Sequence, residues 1–264
     1  MEILHLLGYI GALSVGIILG LIGGGGSILT IPILVYLFSF EPVVATAYSL
    51  FVVGTTSAVG SAKNFGKKLI DFRTVLFFAF PAVLAVYGTR RFIIPAIPSE
   101  LFQLGDFILT KDTGIMVFFA TLMLFASVSM IRNKRSELQN AEVSNYPLLM
   151  LLAAVTGFLT ALVGAGGGFI IIPILVIFAK LLMRNAVATS LVIIAINSLI
   201  GFMGDIQNLD IDWEFLLSFS SLSVLGIFFG IWLHKFFNAK KLKKSFGWFV
   251  FLMSLYIIFK ESRF

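Results

Sequence analysis

The residues with the most chemistry to offer in this chain are glycines. Gly23, Gly24, Gly25 and Gly26, followed by Ser27, form one run, and Gly164, Gly166, Gly167 and Gly168 form a second. Glycine leaves the backbone N–H groups uncovered by a side chain. Each run leads into a short apolar segment, 31–40 with Pro32 and 172–182 with Pro173. Both segments are about half the length needed to cross a bilayer. We therefore expect half-helices, each with its proline in the first turn, where the missing N–H costs least. A helix start presents free amides and the positive end of its dipole. Two such starts facing one cavity make a site for a small mono- or dianion rather than a cation.

Hydroxyls and one amide complete the candidate site. The apolar segment 43–62 carries Ser49, Thr56 and Ser57, and the segment 186–204 carries Ser190, Asn197 and Ser198 at the matching positions. Such groups donate to oxyanion oxygens without the desolvation cost of a full buried charge. The alternatives stay open: glycine stripes also pack helices together, and hydroxyls in membrane helices often bond their own backbone. Asp71 and Asp212, each just before an apolar segment, read most simply as N-caps. Asn64 and Asp205 hold matching segment ends, and Lys63 lies near enough to screen or gate an anion. Arg90 and Arg91, at the end of segment 72–94, either snorkel or attract anions. His234 and the basic run 240–244 read as interfacial, the latter as a lipid-facing topology anchor.

The elements that must position these groups come from a duplication. Residues 21–35 recur without a gap at 162–176, 141 positions on. The offset holds downstream, where Ala45, Ser49, Leu50, Gly60 and Asp71 meet Ala186, Ser190, Leu191, Gly201 and Asp212. A doubled, glycine-interrupted apolar segment is the mark of a transporter built from two repeats. With 264 residues, 59% hydrophobic and 12% charged, the chain is too apolar for a soluble domain, in which about 25% of residues are charged. It is an integral membrane protein. No cysteine is present, so disulfides and thiolate metal sites are excluded. The spans hold no Ser/His, paired-carboxylate or metal-ligand constellation, so the chain is not expected to be an enzyme, and no cofactor is expected. The first 22 residues lack the basic start and cleavage site of a signal peptide.

The net charge of +6 serves topology rather than nucleic-acid binding. If both glycine-broken units fold back as hairpins, the cytoplasmic loops hold Lys63, Lys67, Lys68, Arg73, Arg132, Lys134, Arg135, Lys180, Arg184, Lys235, Lys240, Lys241, Lys243 and Lys244, which is 14 of the 19 basic residues. If both crossed, the charges would divide almost evenly. The positive-inside rule favours hairpins. The expected fold is an all-α polytopic membrane protein of two inverted-topology repeats, each a re-entrant hairpin plus three transmembrane helices. The first repeat is 1–131, the cytoplasmic linker 132–146 and the second repeat 147–264, with both termini outside. Mid-membrane segments then carry no acidic residue, and proton coupling would need a peripheral acid such as Asp205 or a protonated substrate.

At the two Gly-rich–Pro segments, each followed by Ala-x-Ala-x-Ser-Leu and Ile-Asp, the sequence resembles the TauE/SafE family of membrane permeases, also described as sulfite exporters. The resemblance covers nearly the whole chain and is most specific at 23–32 with 45–50 and at 164–173 with 186–191. It implies transport of sulfite, sulfoacetate or another sulfur-containing organic anion across a bacterial inner membrane. Ala165 interrupts the second glycine run, and 96–112 has no counterpart in the second repeat, so the halves are not equivalent and the substrate site is open to lying off-axis. The resulting expectation is a carrier for a small sulfur-containing oxyanion or organosulfonate, working by alternating access. A passive anion channel and a non-transporting membrane scaffold or sensor are the rivals. The expected partners are the substrate anion and the lipid bilayer, not nucleic acid, and a homodimer is open.

Overall fold

The computed structural model describes residues 2–24, 26–66, 68–104, 107–132, 145–233, 236 and 239–262. Gly25, Lys67, His234, Lys235, Arg263 and linker positions 133–144, with Lys134 and Arg135, lie outside the described residues. So do the side chains of His5, Ser27, Asn64, Lys240, Lys241 and Lys243.

Long apolar runs without internal breaks become long helices: α1 (Glu2–Ile22), α3 (Pro42–Phe65), α4 (Phe72–Gly88), α6 (Lys111–Arg132), α7 (Tyr146–Val163), α9 (Met183–Asp205), α10 (Trp213–Leu233) and α11 (Ala239–Glu261). The glycine runs interrupt this pattern and are followed by the short helices α2 (Gly26–Tyr36) and α8 (Gly168–Ile177). Among the described residues, six helical stretches are long and apolar enough to cross a membrane: Pro42–Lys63, Phe72–Ala96, Lys111–Arg132, Tyr146–Val163, Met183–Asp205 and Trp213–Leu233. The lipid-facing side of α4 is legible in Phe72, Leu76, Phe80 and Leu84, four residues apart and all exposed. The protein is a nearly all-helical, multi-pass membrane protein.

Three local expectations are corrected. First, α2 and α8 begin at Gly26 and Gly168, several residues before 31 and 172, so Pro32 and Pro173 sit inside the helices rather than in their first turns. Among the described glycines, positive φ is confined to Gly23, Gly164, Gly166 and Gly167, which leaves Gly26 and Gly168 free to take helical dihedrals. Second, part of the extra segment is not helical. After a π-helical turn (Thr89–Ile93) and the short α5 (Ile94–Ala96), strands β1 (Glu100–Leu104) and β2 (Phe107–Thr110) pair antiparallel, with Glu100 opposite Thr110 and Leu104 opposite Phe107. Third, Arg90 does not snorkel: it is buried and paired with Asp205, as described below.

The duplication reappears in the packing. Helix α1 lies on α10 through Gly16, Gly20, Gly226 and Gly230, whose backbones approach so closely that a Cβ at Gly16 would meet the Ser223 carbonyl. Such small-residue contacts let helices associate in lipid through dispersion rather than hydrophobic burial. The matching contact, 141 positions on, is Gly157 of α7 against the Ala82 carbonyl of α4. Gly60 packs on Ile227 as Gly201 packs on Val86. The Asp212 N–H donates to Tyr48 Oη at 2.7 Å, and the Asp71 N–H donates to Thr189 Oγ1 at 3.1 Å. Both aspartates also cap their helices, Asp71 accepting from the Thr74 N–H and Asp212 from the Phe215 N–H. At the centre, α3 and α9 run antiparallel: Leu50 meets Gly201, Gly54 meets Leu199 and Gly60 approaches Leu191.

Candidate functional site

The two glycine loops reach toward each other across the α3–α9 pair. Gly23, at φ +81°, abuts Val187 near the start of α9, and Gly164, at φ +71°, abuts Thr46 near the start of α3. These two contacts are equivalents in the duplication. Between them the loops touch: a Cβ at Gly24 would lie 2.8 Å from the Gly168 carbonyl carbon and 2.8 Å from Ile172 Cδ1. Gly24 and Gly168 are therefore brought together, while Gly23 and Gly164 mark opposite ends of the seam. Gly167, in the left-handed region, is the N-cap of α8 and offers no side-chain cap. Gly166 stands between Val53 and Ser198, where a Cβ would lie 2.9 Å from Val53 Cγ1 and 3.0 Å from Ser198 Oγ. Gly25 and the Ser27 side chain belong to the undescribed residues.

Helices α3 and α9 bury every polar group assigned to them in the candidate site. Ser49, Thr56, Ser57, Ser190 and Ser198 are fully inaccessible and Asn197 nearly so. Their hydrogen bonding divides them. Thr56 donates to the Val52 carbonyl at 2.6 Å and lies 3.1 Å from Ser223 Oγ on α10. Ser190 donates to the Val187 carbonyl at 2.9 Å. Among the described residues, Ser49 Oγ, Ser57 Oγ, Asn197 Oδ1 and Ser198 Oγ have no partner. A buried polar atom without a partner costs about 1–3 kcal/mol, and few such atoms survive in native structures without a reason. Four of them on one helix pair are a concentration of unmet hydrogen-bonding capacity.

Arg90 and Asp205 are legible in the sequence only as separate charges; their burial and pairing beside this seam are not. Arg90 lies in the π-helical turn and is wholly buried. Its Nη1 donates to Asp205 Oδ2 at 3.2 Å and to Thr46 Oγ1 at 3.1 Å. Asp205, the last residue of α9, is 2% exposed. Arg90 Nε and Nη2 are buried without a partner among the described residues. Gly204 makes room for the arginine stem, since a Cβ there would lie 3.0 Å from Arg90 Cβ. Arg91 is only half-buried, and Lys63 is exposed at the end of α3. The one sequence signal for this pair was asymmetry: the positions matching Arg90, Asp205 and Thr46 hold Ile231, Asn64 and Val187.

Comparison with known proteins agrees with this architecture. Residues 8–257 match the family model described as sulfite exporter TauE/SafE. A probable membrane transporter protein of Xylella fastidiosa is 28% identical over 255 residues, covering 94% of this chain and 92% of the relative. Another, from Bacillus subtilis, is 26% identical over 88% of both chains. A third, from the archaeon Methanocaldococcus jannaschii, is 29% identical over 72% of this chain and 67% of its own. No solved structure matches the chain. With doubled glycine loops, spanning helices and a family match over nearly its whole length, the chain is a membrane transporter and belongs to the sulfite exporter TauE/SafE family.

Proposed function

We propose that the protein carries a small sulfur-containing oxyanion or organosulfonate, of the sulfite or sulfoacetate kind, across a cell membrane by alternating access. One observation carries the reading: Ser49, Ser57, Asn197 and Ser198 each bury a polar atom without a partner among the described residues on the two helices that flank the touching glycine loops. Serine hydroxyls can donate to anionic oxygens, and the half-helix starts at Gly26 and Gly168 add amide and dipole stabilisation. The unpartnered Asn197 oxygen is an acceptor, which suits an oxyanion that itself bears a proton, such as hydrogensulfite. Thr56 and Ser190, already bonded within the protein, shape the site rather than bind.

The antiparallel run of α3 and α9, together with contacts that recur 141 positions apart, supports two repeats of opposite orientation. A two-fold axis that exchanges antiparallel helices lies across them, and rocking of one repeat against the other then opens the site to each side in turn. Loop charges support a cytoplasmic linker and outer termini.

A thermal-shift screen of the purified protein with sulfite, sulfate, thiosulfate, sulfoacetate, taurine and carboxylate analogues tests the proposal. A rise in Tm with one or more sulfur oxyanions, weaker in Ser198→Ala, is the expected result. No shift with any of these anions overturns it.

A further inference from the structure

The Arg90–Asp205 pair is an unusual way to bury a charge. An arginine enclosed in a membrane domain is costly unless its charge is compensated and its donors are used. Asp205 compensates the charge through a single contact, at 3.2 Å, and that contact falls on Nη1, which also serves Thr46. The opposite edge of the guanidinium, Nε with Nη2, is left without a partner among the described residues. That edge is a planar fork spaced to bind two oxygens of one carboxylate, sulfonate or related oxyanion. A purely structural ion pair would gain most by turning this fork onto Asp205, and here it does not.

The position of the fork ties it to the glycine seam. Thr46, which fixes Nη1, is the residue against which Gly164 of the second loop packs. The arginine is set there by a π-helical turn, a local irregularity that helices often carry at functional positions. The duplication does not repeat the device, because Ile231 and Asn64 stand at the matching positions.

We propose that Arg90 is the cationic anchor of the substrate anion, its Nε–Nη2 edge binding two oxygens beside the second glycine loop, with Asp205 as the resident counter-charge. This inference rests on the anion-transport reading. It places the site off the pseudo-two-fold axis, and it makes Asp205 a competitor of the anion: the carboxylate neutralises Arg90 in the empty protein and weakens binding by doing so. Thr46 is a positioning residue, since it holds the guanidinium without using the fork.

The test is sulfoacetate and sulfite binding, by calorimetry, to the purified full-length protein and three variants. Arg90→Gln/Asp205→Asn removes both charges together, leaves no lone buried ion, and is expected to weaken sulfoacetate binding about a hundredfold or more, the loss of two charge-assisted hydrogen bonds. Arg90→Lys keeps the charge without the fork and is expected to weaken sulfoacetate as well, by a smaller factor. Asp205→Asn removes the competing carboxylate and is expected to tighten binding several-fold. A folded double variant that binds sulfoacetate within about twofold of wild type overturns the role of Arg90. Unchanged binding by Arg90→Lys overturns it too, should the double variant not fold. Wild-type protein that binds none of the sulfur oxyanions overturns the anion reading itself, a separate outcome.

Discussion

Removing the hydroxyl of Ser198 should make the protein more stable and a poorer binder at once. Ser198 is fully buried, and its Oγ has no partner among the described residues and faces the position a Cβ on Gly166 would take, 3.0 Å away. An unpaired buried hydroxyl costs about 1–3 kcal/mol, whereas deleting one oxygen leaves a gap smaller than a methyl group, costing less than about 1 kcal/mol. Ser198→Ala is therefore expected to stabilise by about 1 kcal/mol, a rise in Tm of about 2–4 °C for a chain of this size. The same substitution removes one charge-assisted hydrogen bond to the anion, so sulfoacetate affinity should fall about tenfold or more. Ser190→Ala serves as the contrast: its Oγ already donates to the Val187 carbonyl, and its loss should lower Tm slightly. Thermal unfolding in detergent with and without sulfoacetate reads both quantities. A drop in Tm in Ser198→Ala together with unchanged sulfoacetate affinity would refute the reasoning, because it would show that Oγ is a structural bond rather than a held-open donor.

Other expectations follow from the packing and the caps. Gly16→Leu drives a side chain into the Ser223 carbonyl and should separate α1 from α10, costing about 3 kcal/mol or more and removing folded protein in size-exclusion chromatography. Asp71→Ala removes the cap that accepts from the Thr74 N–H and should cost about 0.5–2 kcal/mol while leaving anion affinity unchanged; a loss of affinity at unchanged stability would place Asp71 in the site instead. Cysteines at Glu41 and Met183, both exposed at the starts of α3 and α9, should react with a membrane-impermeant reagent from opposite sides. Labelling of both from one side would contradict opposed repeats.

Much of the architecture is legible in local sequence because local physics decides it. Span positions follow from apolar runs about as long as a bilayer is thick, and the caps at Asp71 and Asp212 follow from an acceptor placed just before an apolar run. The glycine loops are legible because they occur twice. What failed had a non-local or competing cause. The starts of α2 and α8 moved to Gly26 and Gly168 because a glycine in a run can join a helix as well as break one, and only the packing neighbours decide which. The strand pair at Glu100–Leu104 and Phe107–Thr110 lies in the extra segment 96–112, where Glu100, Gln103, Asp106, Lys111 and Asp112 break the apolar runs and no span is expected. The Arg90–Asp205 pair joins residues 115 positions apart and has no second copy, so the comparison that exposed the glycine loops passed over it. Hydroxyl positions were readable from the pairing of α3 with α9; which of them lack a partner depends on rotamers and neighbours, and sequence carries neither.

Substrate counterflow in proteoliposomes tests the central claim most directly. Vesicles loaded with unlabelled sulfoacetate or sulfite and containing the wild-type protein should take up labelled anion from outside to a transient excess, saturably, and Arg90→Gln/Asp205→Asn vesicles should do so far less. Flux that is strictly passive, unsaturable and blind to the loaded anion would contradict a carrier with a binding site between the glycine loops.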